Sequence, residues 1–245
     1  MHFGDRLAAA VRATHSPALV GLDPHLERIP EEFAAAKDPA ASRAERAAAV
    51  GDFLCAVIEV VADKVPAVKP QSAFFEALGA DGVFQWERVV AAAKDANLLV
   101  IGDVKRGDIG STAAAYAQAF LSGVPGTDPR TLCDAVTLNP YLGSDSILPF
   151  LGAGEGTGVY VLVRTSNPSG KEFQSLGEPN LAEHVADAVH GWGEHDRGES
   201  GLSCVGAVVG ATHPAELVTL RARMPHTPLL LPGYGAQGAG AADVV

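Results

Sequence analysis

The sequence predicts an α/β protein of the (β/α)8 TIM-barrel type, and three observations point there. Short, nearly continuous apolar runs alternate with alanine-rich helical stretches, which is how strands buried on both faces of a parallel sheet read. Repeated strand–helix units then leave two architectures, a barrel or a doubly wound sheet. The polar residues at the strand ends decide between them: Asp23, Lys69, Asp103, Asn139 and the run Arg164 to Asn167. A barrel aims the C-terminal end of every strand at one shared mouth. A doubly wound sheet gathers such groups at one switch point, usually behind a glycine loop after the first strand. Here the first strand runs into Asp23-Pro24-His25, with no such loop.

The elements follow in order. Strands are expected at 18–23, 67–70, 98–103, 134–138, 158–163, 204–209 and 228–231. An opening helix is expected at 4–14, and further helices at 43–63, 82–96, 111–121, 145–151, 181–191 and 214–221. The stretch 24–42, rich in proline and charge, reads mostly as surface connection, and 194–201 as a second loop. No internal repeat or linker divides the chain, so one domain over 1–245 is expected. Asn167-Pro168-Ser169 has proline in the middle, which disqualifies it as a glycosylation site.

Composition narrows the chemistry. Of 245 residues 47% are hydrophobic, too many for a disordered chain. Eighteen basic residues against 29 acidic ones give a formal charge of −11, the wrong sign for nonspecific nucleic-acid binding. No run approaches the ~18 apolar residues of a membrane helix, and the start lacks a basic signal-peptide region. Cys55, Cys133 and Cys204 are scattered in apolar stretches, without disulfide or metal-ligand spacing. The expectation is a soluble cytoplasmic protein with reduced thiols. The eight histidines show no ligand pairing, and no metal site is expected.

The most informative segment runs from Leu99 through Asp103, Lys105 and Asp108 to Thr112. While the strand stays extended, Asp103 and Lys105 point to one side. Carboxylates on either side of a lysine favour its ammonium form, which suits a proton donor to a carbanion better than a nucleophile. Lys69, one of only six lysines, ends another apolar strand, so four charges of alternating sign gather at the mouth. From spacing alone, a solvated cluster of ion pairs would read the same way.

Six segments, each at a strand end, carry a resemblance: Gly21 to Pro24, Val68 to Gln71, Asp103 to Thr112, Asn139 to Tyr141, Arg164 to Gly170 and Pro232 to Gly238. Together they resemble the orotidine 5′-phosphate decarboxylase family, in its bacterial branch with a long insertion after the first strand. The resemblance implies that Lys69, Asp103, Lys105 and Asp108 are the family's lysine–aspartate tetrad. It implies that Asp108 and Thr112 reach into a neighbouring subunit's site, and hence a homodimer. It further implies that Asp23 binds a ribose hydroxyl with part of Lys69, that Ser166 reads the pyrimidine edge, and that Gln237 contacts phosphate and base. Gly235 belongs to a glycine-rich loop of the kind that binds phosphate through backbone N–H groups. Asn139 and Thr165 lie in matching segments without an assigned role.

The reaction so implied is loss of CO2 from orotidine 5′-monophosphate to give UMP, the last step of pyrimidine nucleotide synthesis, with neither cofactor nor metal. Two rivals remain. One is a Mg²⁺-dependent sugar-phosphate decarboxylase or aldolase of the same superfamily, whose members carry glutamate where this chain has Lys69. The other is a non-catalytic nucleotide-binding barrel. Only seven strands are read before Val245, and the family's eighth strand, with its phosphate-gripping arginine, has no counterpart. The expectation is therefore a C-terminally shortened barrel with a gap between its first and seventh strands, leaving unpaired edges.

Overall fold

Apolar runs of two to eight residues become parallel strands, and the alanine-rich stretches between them become helices. The computed structural model describes residues 1–211 and 214–233. In chain order the elements are α1 (Phe3–Thr14), β1 (Val20–Leu22), α2 (Arg43–Val61), β2 (Ala67–Pro70), α3 (Ser72–Glu76), α4 (Gly79–Asp95), β3 (Leu99–Arg106) and α5 (Gly110–Ala117). They continue as β4 (Ala135–Leu138), β5 (Gly158–Arg164), α6 (Lys171–Gln174), α7 (Leu181–Gly193), β6 (Val205–Val209), α8 (Pro214–Arg223) and β7 (Leu229–Leu230). The strands follow one another in the sheet in sequence order, β1 to β7, the order that right-handed β–α–β crossovers produce in a (β/α) barrel.

The chain forms two compact units, which share β3 and β4. One holds Leu7–Val104 and Ala117–Val136; the other holds Met1–Arg6, Lys105–Tyr116 and the chain from Thr137 onward. In the first unit, β1 pairs with β2 (Gly21 opposite Lys69), and β2 with β3 (Val68 opposite Val100). Ser42 and Glu45 form a reciprocal capping box that starts α2. α2 packs on α4, where a Cβ at Gly51 would meet the end of the Gln85 side chain and displace its amide. Phe75, Trp86 and Phe120 meet edge-to-face. Asp134, 2% exposed, takes the Val100 N–H at 2.7 Å and pairs with Lys94, which fixes the start of β3.

In the second unit β5, β6 and β7 pair in parallel, with Tyr160 opposite Gly206 and Val208 opposite Leu230. The register shifts between Leu162 and Arg164, a bulge at the end of β5 that redirects the chain. Phe3, fully buried, meets Tyr160 edge-on at 6.1 Å and brings the N-terminus into this unit's core.

Two expectations need correction. The helix expected at 145–151 is instead two 3-10 turns, Ser144–Ser146 and Leu148–Phe150; Pro149 has no N–H for an α-helical bond there. The helix expected at 111–121 is α-helical only to Ala117 and widens into a π turn, Gln118–Ser122, closed by Gly123 at φ 68°. The stretch 24–42 is mostly exposed, yet it carries two 3-10 segments and buries Ile29 and Ala36, with Phe33 stacked on Phe53 at 5.6 Å. Most of it is surface connection, as expected, with these few residues tying it to the core.

Candidate active site

Lys69 leaves β2 and Asp103 lies on β3, both in the first unit. Lys69 Nζ donates to Asp103 Oδ2 at 2.7 Å, and the two side chains are 14% and 8% exposed. Gln71, two residues beyond Lys69 and so on its side of the chain, donates Nε2–H to the same Oδ2 at 2.9 Å. The Gln71 carbonyl also accepts the Ala73 N–H at the start of α3, which limits how the amide can turn. Asp103 thus has one oxygen held by an ammonium and an amide together. Asp23, just past β1, is exposed, and its carbonyl accepts the His25 N–H at 2.8 Å.

The second unit holds Lys105, Asp108, Thr112 and Ser166. Lys105 has φ 44°, left-handed backbone that non-glycine residues avoid. The side-to-side alternation expected to align Asp103 with Lys105 therefore stops at Lys105, whose side chain is exposed where Asp103 is buried. Its N–H donates to Thr137 Oγ1 at 3.0 Å. One residue on, the Arg106 carbonyl accepts the Asn139 N–H at 2.8 Å, and the Arg106 guanidinium sits over the Tyr116 ring at 5.4 Å. Asp108 is half-buried in the turn before α5 and accepts the Ile109 N–H at 2.8 Å; Thr112 is exposed on α5.

The loop after β5 is built around Gln174. Its carbonyl accepts from the Thr165 N–H at 2.9 Å and from Arg164 at 3.0 Å, and its amide donates to Thr165 Oγ1 at 2.8 Å. Arg164, 3% exposed, also pairs with Glu216 at 2.6 Å. Both polar groups are thus committed to holding the loop, which presents half-buried Ser166. Gly210 lies against Ser166: a Cβ there would come within 2.9 Å of its backbone. Gln237 and Gly235 lie outside the described residues.

Sequence reasoning gave no role to Gln71, the last residue of the matching segment Val68 to Gln71, and missed Thr137, Gln174 and Gly210. A polar residue in an apolar strand, as Thr137 is in Ala135-Val136-Thr137-Leu138, was the one signal available. It also missed a cluster away from these residues. Among the described residues, His2, Asp196 and Cys204 bring an imidazole nitrogen, a carboxylate and a thiol within 4.8 Å of one another. Hydrogen bonds account for all three. Gly4 N–H donates to His2 Nδ1 at 3.0 Å, so the neutral ring carries its proton on Nε2 and donates to Asp196 at 3.1 Å. Cys204 donates to the other Asp196 oxygen at 2.9 Å, and burial beside that carboxylate pushes its thiol up to about 12. A metal at Nε2 would need the ring proton moved to Nδ1, against the Gly4 N–H, so the trio reads as a tie between the N-terminus and the connection before β6.

The model of the orotidine 5′-phosphate decarboxylase / HUMPS family matches residues 18–245. The chain belongs to that family. It is 45% identical to orotidine 5′-phosphate decarboxylase of Rhodopirellula baltica, over all of this chain and 82% of that protein. It is 47% identical to the enzyme of that name from Deinococcus radiodurans, over 77% of this chain and 67% of that one. Among solved structures, the OMP decarboxylase of Leishmania donovani superposes with a TM-score of 0.75 at 34% identity, covering 98% of this chain and 84% of its own. The family assignment and the α/β barrel class expected from the strand-end motifs both stand. Among the described residues no helix is long and apolar enough to cross a membrane.

Proposed function

We propose that this chain decarboxylates orotidine 5′-monophosphate to UMP and CO2 without a cofactor or metal. The carrying observation is the buried Lys69–Asp103 pair at 2.7 Å. A lysine at position 69 puts a cation where the Mg²⁺-dependent branch of the superfamily needs a carboxylate, and a cation repels a metal ion.

The chemistry asked of the site is demanding. The bond from C6 to the carboxylate breaks, CO2 departs, and the electron pair stays at C6 of the pyrimidine as a poorly delocalised carbanion. The enzyme must bind that state better than the substrate. Lys105, as an ammonium, stabilises the developing charge and then delivers a proton to C6, and solvent reprotonates the amine. Asp103 faces the departing carboxylate and is held for that by Lys69 and Gln71. Asp23 and Lys69 take the ribose hydroxyls and Ser166 the pyrimidine edge. Gln237 and the loop of Gly235 take the phosphate, whose binding energy is spent on ordering the site.

The working unit is a homodimer in which Asp108 and Thr112 serve the neighbouring subunit's site. The enzyme is cytoplasmic, where its substrate and product are soluble anions. The test is UMP formation by the purified chain with and without a chelator. Turnover indifferent to chelator supports the proposal. Turnover lost on chelation would move the chain to the Mg²⁺-dependent branch, and nucleotide binding without turnover would make it a binding barrel.

A further inference from the structure

Lys105 is the one lysine among the described residues with positive φ, at 44°; the other such non-glycine residues are His15 and Asn97. Asparagine tolerates the left-handed region because its short side chain bonds locally, whereas lysine has no such compensation. Backbone held in a disfavoured region persists only where its surroundings fix it, and such positions cluster at functional sites. The surroundings here are the end of β4. Thr137 Oγ1 accepts the Lys105 N–H at 3.0 Å, and the Asn139 N–H donates to the Arg106 carbonyl at 2.8 Å. A Cβ on Gly107 would come within 3.0 Å of the Asn139 carbonyl, so the segment from 105 to 107 lies tight against that strand end.

Thr137 is 1% exposed, and its strand neighbours Ala135, Val136 and Leu138 are all buried and apolar. Packing alone asks for valine at this place. We propose that Thr137 is a positioning residue for the proton donor: its hydroxyl captures the Lys105 N–H and so holds Lys105 in the left-handed conformation that sets the course of its side chain. A strand amide normally bonds to a neighbouring carbonyl. At Lys105 a side-chain oxygen takes that part, and replacing it with a methyl group of the same shape removes the capture without opening a cavity. Asn139, which had no assigned role, acts beside it through its backbone.

This inference rests on the proposed decarboxylation, and the experiment separates the two. Thr137→Val and Thr137→Ser are assayed for kcat and KM with orotidine 5′-monophosphate, melted, and crystallised. Displacing a reacting group by about 1 Å costs on the order of 100-fold, so Thr137→Val is expected to lower kcat about 10- to 100-fold. KM should stay within about 3-fold, because uniform binding is untouched. Thr137→Ser keeps the hydroxyl and should stay within about 3-fold of the parent kcat. In the Thr137→Val crystal, Lys105 should leave the left-handed region. Should Thr137→Val not fold, Thr137→Ala removes the same hydroxyl and carries the same expectation. Parent-like kcat in a folded variant lacking the hydroxyl, or Lys105 retained at positive φ in its crystal, overturns the inference. An inactive parent chain overturns the proposed function instead, and the Lys105 φ in the variant crystal still decides the role of Thr137.

Discussion

Lys69 Nζ and Asp103 Oδ2 meet at 2.7 Å with both side chains largely buried, and Gln71 donates to the same oxygen. A buried pair of this kind seldom adds stability over apolar residues of similar size, because desolvating two charges offsets their attraction. Its place on two adjacent parallel strands fits the proposed chemistry better than a stabilising role.

The first prediction follows from that balance. Asp103→Leu alone leaves the Lys69 ammonium buried without its carboxylate and should cost about 3 kcal/mol in urea unfolding. Adding Lys69→Met should recover most of that loss while turnover stays absent. A double variant as unstable as the single would show that the pair is kept for stability.

Lys105→Ala removes an exposed side chain, so its melting temperature should stay close to that of the parent, while turnover falls at least ~100-fold through loss of the proton donor. Steady-state assay of the folded variant checks this. Near-normal activity would take the proton-donor role away from Lys105.

Part of the candidate site was legible in the sequence because a charged residue at the close of an apolar run stands out. Lys69 and Asp103 could be read that way, and five of the seven strands lie within the expected segments, while β3 and β5 run past theirs to Arg106 and Arg164. What holds those residues could not. The left-handed turn at Lys105, the hydroxyl of Thr137 and the amide of Gln71 depend on contacts between strands that no local pattern records. The failed helix at 145–151 was readable: Pro149 stood inside the segment and Gly143 just before it.

Burial gives an alkaline prediction. It pushes the Cys133 thiol up to about 12 from an ordinary 9.0, and Cys204 likewise, while Tyr160 is also raised. The folded protein keeps these protons after the unfolded chain has released them, so stability is fully present below about pH 9 and declines as pH rises towards 12. Urea midpoints measured from pH 7 to 11 should fall above pH 9, and Cys133→Ala should flatten that fall. Midpoints independent of pH across this range would contradict the assignment.

The shared-site proposal predicts complementation. Lys105→Ala and Asp108→Ala subunits, each inactive alone, should regain activity when mixed, because in a mixed dimer one site carries both lesions and the other carries neither. Subunit exchange demonstrated by mass spectrometry, with no return of activity, would confine each site to one chain.

The account turns on a carbanion at C6 protonated by Lys105. Turnover of orotidine 5′-monophosphate in D2O, followed by NMR in the presence of a chelator, tests it most directly. The account predicts UMP bearing deuterium at C6, formed one-for-one with CO2 by the parent chain, and no such product from Lys105→Ala. Product formed equally fast by Lys105→Ala, or formed by the parent only when Mg²⁺ is restored, would contradict it.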